Sequence, residues 1–161
     1  MIPAVPTTGV QGIRFRSRLE ARWAAWLSFC GWPFAYEPDL NLRGWIPDFA
    51  ITAGGGLFVE VKPAITLAGL VEHRARIEGS GVVAQVWLVG AAFALAKGPQ
   101  PVLGWRGFAG GDTLGGKTVW HWQPAYLEEL KLLVDQPSPL DFKNAQRFWI
   151  AAGNDHQWRA R

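Results

Sequence analysis

"GWIPDFAITAGGGLFVEVKPA", residues 44–64, carries three charged side chains in a run that otherwise reads as a buried β-hairpin. Asp48 follows a proline, and Glu60 and Lys62 stand two positions apart among apolar residues. Burying a lone carboxylate or ammonium costs several kcal/mol unless the group is paired or holds a metal, so these charges need a reason.

Strand alternation puts Leu57, Val59 and Val61 on one face and Phe58, Glu60 and Lys62 on the other. Glu60 and Lys62 therefore point the same way, about 7 Å apart along the backbone. In the first arm, predicted over residues 45–52, Phe49 and Ile51 alternate with Asp48, Ala50 and Thr52. Keeping the apolar faces together pairs Phe49 with Val59 and Ile51 with Leu57, which sets Asp48 opposite Glu60. That register requires an odd-numbered loop, such as residues 53–55 with a glycine in the left-handed region; a two-residue loop would set Phe49 beside Glu60. Two carboxylates facing each other repel unless a cation lies between them. With a neighbouring carbonyl they form an oxygen donor set suited to Mg2+ or Mn2+. Lys62 is placed to orient a water or stabilise phosphate charge, so the set is the equipment of metal-assisted phosphodiester hydrolysis. The plainer alternative makes Asp48 a turn residue and Glu60 and Lys62 the solvated face of an edge strand.

Upstream, "SRLEARWAAWLSFCG" spaces Leu19, Trp23, Trp26, Leu27 and Cys30 as one face of a helix, with Ser17 as N-cap and Gly31 as the stop. "FAYEP" (34–38) reads as a short edge strand ended by Pro38. Downstream, residues 66–80 read as a helix closed by glycine, and "VVAQVWLVGA" (82–91) as a strand buried on both faces. The Gly- and Pro-rich stretch 97–118 holds a weak strand, and 119–123 a last one. Residues 124–136 form a helix with Pro124 at its start, "SPLDFKNAQRFWIAAGN" a second helix stopped near Gly153, and "DHQWRAR" a basic tail. The order of elements predicts an α/β fold with a mixed central sheet flanked by helices on both faces. It reads as one domain over 1–161: an irregular arm (1–12), a catalytic core (13–123), and C-terminal helices with the tail (124–161).

The set "PD" (47–48) and "EVK" (60–62), preceded by "FRSRLEARWA" and "YEPD", resembles the PD-(D/E)xK nuclease superfamily. Its small phage and bacterial endonucleases are the nearer likeness, and the endonuclease subunit of heteromeric transposases a more distant one. The resemblance covers residues 12–64, and the rest only by the order of elements. It implies a restriction-endonuclease-like core and a Mg2+-dependent endodeoxyribonuclease that leaves 5′-phosphate and 3′-hydroxyl ends, with Mn2+ as a substitute. By the same resemblance Asp48 and Glu60 hold the metal with the Val61 carbonyl, Lys62 positions the water, and Glu20 on the first helix assists. Ser17 and Glu20 also match a capping box, in which Glu20 would only satisfy the helix start.

A chain of 161 residues buries roughly 70% of its unfolded surface and needs no disulfide or metal staple. Cys30 is the one cysteine, no secretory signal is visible, and the longest apolar run is too short for a membrane span, which predicts a cytoplasmic protein. A net charge of +3 favours polyanionic partners only mildly. Arg16 and Arg18 before the site, and Lys143, Arg147 and Arg159 near the C-terminus, are the candidate DNA contacts. His73, with Arg74 and Arg76, is read as a solvated helix face, and His121 as a strand residue. Most of the ten tryptophans belong to the core, with a few left as stacking faces. Partners are DNA and either a second copy of the chain or, for a nicking subunit, a separate protein. The competing functions are a nucleic-acid-binding module without chemistry and a nicking subunit of a transposase-like complex.

Overall fold

The computed structural model describes residues 7–8, 12–135 and 140–155. Six strands form one sheet in the order β3 (Phe34–Tyr36), β4 (Phe49–Ile51), β5 (Leu57–Val61), β6 (Gln85–Val89), β7 (Trp105–Leu114), β8 (Lys117–Pro124). The β5–β6 pair is parallel and the other pairs are antiparallel, so the sheet is mixed. A separate two-residue ladder joins β1 (Thr7–Thr8) to β2 (Arg14–Phe15), where an irregular arm was expected. The helices are α1 (Arg18–Phe29), α2 (Leu67–Leu70), α3 (Arg74–Glu78), α4 (Leu127–Leu133) and α5 (Phe142–Asp155).

The two faces of the central strands follow from their residues. Leu57, Val59 and Val61 of β5, with Trp87 and Val89 of β6, join a layer built with α1, α4 and α5. Val86 and Leu88 point the other way, onto Leu70 and Ile77 of α2 and α3, with Phe58 packed alongside. Thus β6 is apolar throughout because both its faces are covered. In the first layer Trp23 touches Trp149 at 4.5 Å and Trp87 at 5.4 Å between ring centres. Their geometry also satisfies the buried indoles: Trp23 donates to the Gly90 carbonyl and Trp26 to that of Ala145, each at 2.9 Å.

The hairpin register matches the expectation: Phe49 pairs with Val59, Ala50 with Phe58 and Ile51 with Leu57. Residues 52–56 close it as an odd-numbered loop, with Gly54 at φ 76° and Gly56 at φ 92°. Gly54 is required twice over, since a Cβ there would also lie 2.2 Å from the Leu133 carbonyl oxygen at the end of α4.

Five expectations are corrected. Residues 45–48 are not strand; β4 begins at Phe49. The single helix over 66–80 is broken into α2, a 3-10 turn (Val71–His73) and α3, because no continuous apolar stripe holds one axis. Pro124 ends β8 instead of opening a helix, and α4 starts after Tyr126. The weak strand in 97–118 is the ten-residue β7. Likewise Gly153 does not stop α5, which runs on to Asp155; its missing side chain instead makes room for Arg22, whose guanidinium carbon would lie 2.5 Å from a Cβ.

Candidate active site

The cleft forms where three short-range features converge. Ser17 caps α1 by accepting from the Glu20 N–H at 3.1 Å, which starts the helix and sets Glu20 in its first turn. β4 begins just after Asp48, and β5 carries Glu60 near its end. Extending the register by one residue from the Phe49–Val59 pair brings Asp48 across from Glu60. The resulting cleft of about 590 Å³ is lined by Glu20, Asp48, Glu60, Val61 and Lys62, with Arg16, Glu37, Trp45 and Arg76 around them.

Asp48 and Glu60 are each only 5% exposed, which is where the electrostatics become severe. Burial, then hydrogen bonding and repulsion with Glu60, push the Asp48 carboxyl up to about 8. Two contacts pull against this rise: the Val61 N–H donates to Asp48 Oδ2 at 2.7 Å, and the Arg16 guanidinium lies 3.5 Å from Oδ1. Because the N–H and C=O of one strand residue leave toward the same side, the Val61 carbonyl opens on the Asp48 side as well. Lys62 Nζ is 3.9 Å from Glu60 Oε2, on the face that alternation assigns it.

Glu20 is buried at this site, and its carboxylate accepts from the Tyr36 hydroxyl. The capping-box alternative holds for Ser17, while the Glu20 side chain turns to Tyr36. Burial raises the Glu20 carboxyl by more than the Tyr36 bond lowers it, and the charge of Asp48 adds to the rise. Arg16 bridges Glu37 at 2.5 Å and Asp48 at 3.5 Å. Glu37 holds a positive φ of 45°, a strained backbone that its N–H bond to the Asp48 carbonyl, 2.9 Å, helps fix.

The expected basic contacts divide. Arg16 lines the cleft, whereas Arg18, the first residue of α1, does not. Lys143 and Arg147 are exposed on α5. This helix runs antiparallel to α1, with Ala145 at Trp26 and Gly153 at Arg22, so Lys143 stands at the end of α1 away from Glu20. Arg159 lies outside the described residues. His73 and His121 do not line the cleft, and Arg74 caps Trp105 at 4.1 Å.

Sequence reasoning missed Trp45, Tyr36, Glu37 and Arg76 as site residues. Only "YEPD" and the Trp45 of "GWIPD" offered a local cue. Arg76 enters because its Nε donates to the Gly44 carbonyl at 2.6 Å, a contact across 32 residues. Among the described residues no three His, Cys, Asp or Glu side chains form a ready-made metal cage.

The donor set does fit a hard divalent cation. Mg2+ ordinarily binds through one or two carboxylates and keeps several waters, so a buried carboxylate pair with an adjoining carbonyl is sufficient. No family model, no curated protein and no solved structure matches the chain. No helix among the described residues is long and apolar enough to cross a membrane.

Proposed function

We propose that this chain is a divalent-metal-dependent endonuclease that hydrolyses DNA phosphodiester bonds, on a restriction-endonuclease-like core. The observation that carries the reading is the meeting of buried Asp48 and Glu60 in one cleft with Lys62 beside Glu60. Asp48, Glu60 and the Val61 carbonyl are the groups that would hold Mg2+ or Mn2+, and a bound ion supplies Lewis-acid polarisation of the phosphate and a more acidic water. Lys62 holds that water by its ammonium and lowers the cost of charge developing on the phosphate oxygens. Water adds to phosphorus as the bond to the 3′ oxygen breaks, leaving a 5′-phosphate and a 3′-hydroxyl. Glu20, held by Tyr36, adds a carboxylate at the edge of the pair. Arg16 and Arg76 both line the cleft and supply cationic contacts for the flanking phosphates.

The test is incubation of the purified chain with supercoiled, linear, branched and single-stranded DNA, with Mg2+, Mn2+ or EDTA. Cleavage that requires the ion and is lost in Asp48→Ala, Glu60→Ala and Lys62→Ala is the expected result; full activity in all three variants refutes the proposal. Binding without cutting would favour a non-catalytic module, and cutting only after a partner is added would favour a nicking subunit.

A further inference from the structure

Trp45 is a 3% exposed tryptophan whose Nε1–H donates to Glu60 Oε2 at 2.5 Å, the shortest route by which any neutral donor reaches the carboxylate pair. Among the described residues the buried indoles of Trp23, Trp26 and Trp87 donate to backbone carbonyls. Trp45 is the one buried tryptophan among the described residues whose hydrogen bond goes to a buried carboxylate. A charge-assisted bond of this length fixes the rotation of the acceptor group.

The donor is itself anchored from two sides. The chain reaching Trp45 is pinned by the Arg43 N–H to the Ser80 carbonyl at 2.9 Å and by Arg76 Nε to the Gly44 carbonyl at 2.6 Å. The ring rests edge-on against Phe58 at 6.5 Å and packs into the layer of Leu70, Ile77 and Leu88. Oε2 of Glu60 therefore meets a donor that cannot swing away, with Lys62 Nζ 3.9 Å off the same oxygen.

We infer that Trp45 is a positioning residue for the metal site: its indole N–H holds the Glu60 carboxylate in the rotation at which it meets a cation shared with Asp48. The inference rests on the metal-dependent reading above. Partners that orient a ligand from behind typically change metal affinity by roughly 10- to 100-fold when removed. If the bond merely satisfied a buried indole, its loss would lower thermal stability and leave metal affinity unchanged.

The experiment is Mn2+ binding to the full chain without DNA, followed by the electron paramagnetic resonance of the free ion. Trp45→Phe, which keeps an aromatic ring and deletes the donor, should raise Kd by roughly tenfold or more. An unchanged Kd in folded Trp45→Phe overturns the inference while the metal site stands; no Mn2+ binding by the wild-type chain defeats the metal reading itself. Should Trp45→Phe fail to fold, the wild-type indole spectrum decides. The Trp45 Nε1–H resonance, assigned by its displacement in Glu60→Gln, should move on Mg2+ titration while that of Trp87 stays in place. A Trp45 resonance indifferent to saturating Mg2+ also overturns the inference.

Discussion

The buried pair predicts an unusual response to pH in the absence of divalent ions. Asp48 holds its proton up to about 8 in the folded chain, against 3.8 for its ordinary value. A carboxyl raised by folding binds its proton more tightly in the native state than in the unfolded one, so stability falls as pH rises between those two values. From pH 5 to pH 8 the slope of ~1.4 kcal/mol per tenfold in proton activity gives a ceiling of about 4 kcal/mol. For a domain of this size each kcal/mol moves Tm by roughly 2–4 °C, so the ceiling is a fall of roughly 8–16 °C. Asp48→Asn is the matched control, because an amide keeps the shape of the protonated acid and can still accept from Val61 while donating toward Glu60. Scanning calorimetry in EDTA should show Tm falling by at least 5 °C more in wild type than in the Asn variant across this window. A millimolar divalent ion should restore wild type at pH 8 and leave Asp48→Asn unmoved, since only a ligand of the native state stabilises it. Parallel pH profiles for the two proteins would refute the shared-proton geometry.

Other perturbations test the frame and the cleft separately. Gly54→Ala places a methyl against the Leu133 carbonyl in a left-handed backbone and should cost about 1–3 kcal/mol in urea unfolding. Ser17→Ala removes the cap of α1 and should cost about 1 kcal/mol by the same measurement, with some loss of activity through Glu20. Arg76→Ala should weaken DNA binding in EDTA and lower its salt slope by about one, whereas Lys143→Ala, remote from the cleft, should change neither. Equal effects of the two would show that general charge, not the cleft, binds DNA.

What was legible in the sequence was what alternation and spacing encode. The face-matching of β4 and β5 follows from Phe49, Ile51, Leu57 and Val59, because a one-residue slip would set carboxylates among them. β6 was legible from an apolar run, and α1 from its Trp and Leu stripe. Trp45 and Arg76 were not legible as site residues, since each reaches the cleft through one hydrogen bond formed across the fold. The ten-residue β7 was hidden by its glycines; Gly107 and Gly110 read as loop formers, yet they seat the Trp122 and His121 rings of β8. Pro124 was misread because a proline suits both a helix start and a strand end.

Four carboxylates and three cationic side chains line the cleft, which leaves it formally negative by one when all are charged. Below about pH 8 the Asp48 proton brings the empty cleft close to neutral, and on the proposed reading a divalent cation that displaces this proton turns it positive. On that reading a polyanion is held more strongly by the filled cleft than by the empty one, and by reciprocity a bound polyanion tightens the hold on the ion to the same degree. Ion and strand would then be cooperative ligands without any moving part, and the cleft of the proposed nuclease would be reactive only when both are present.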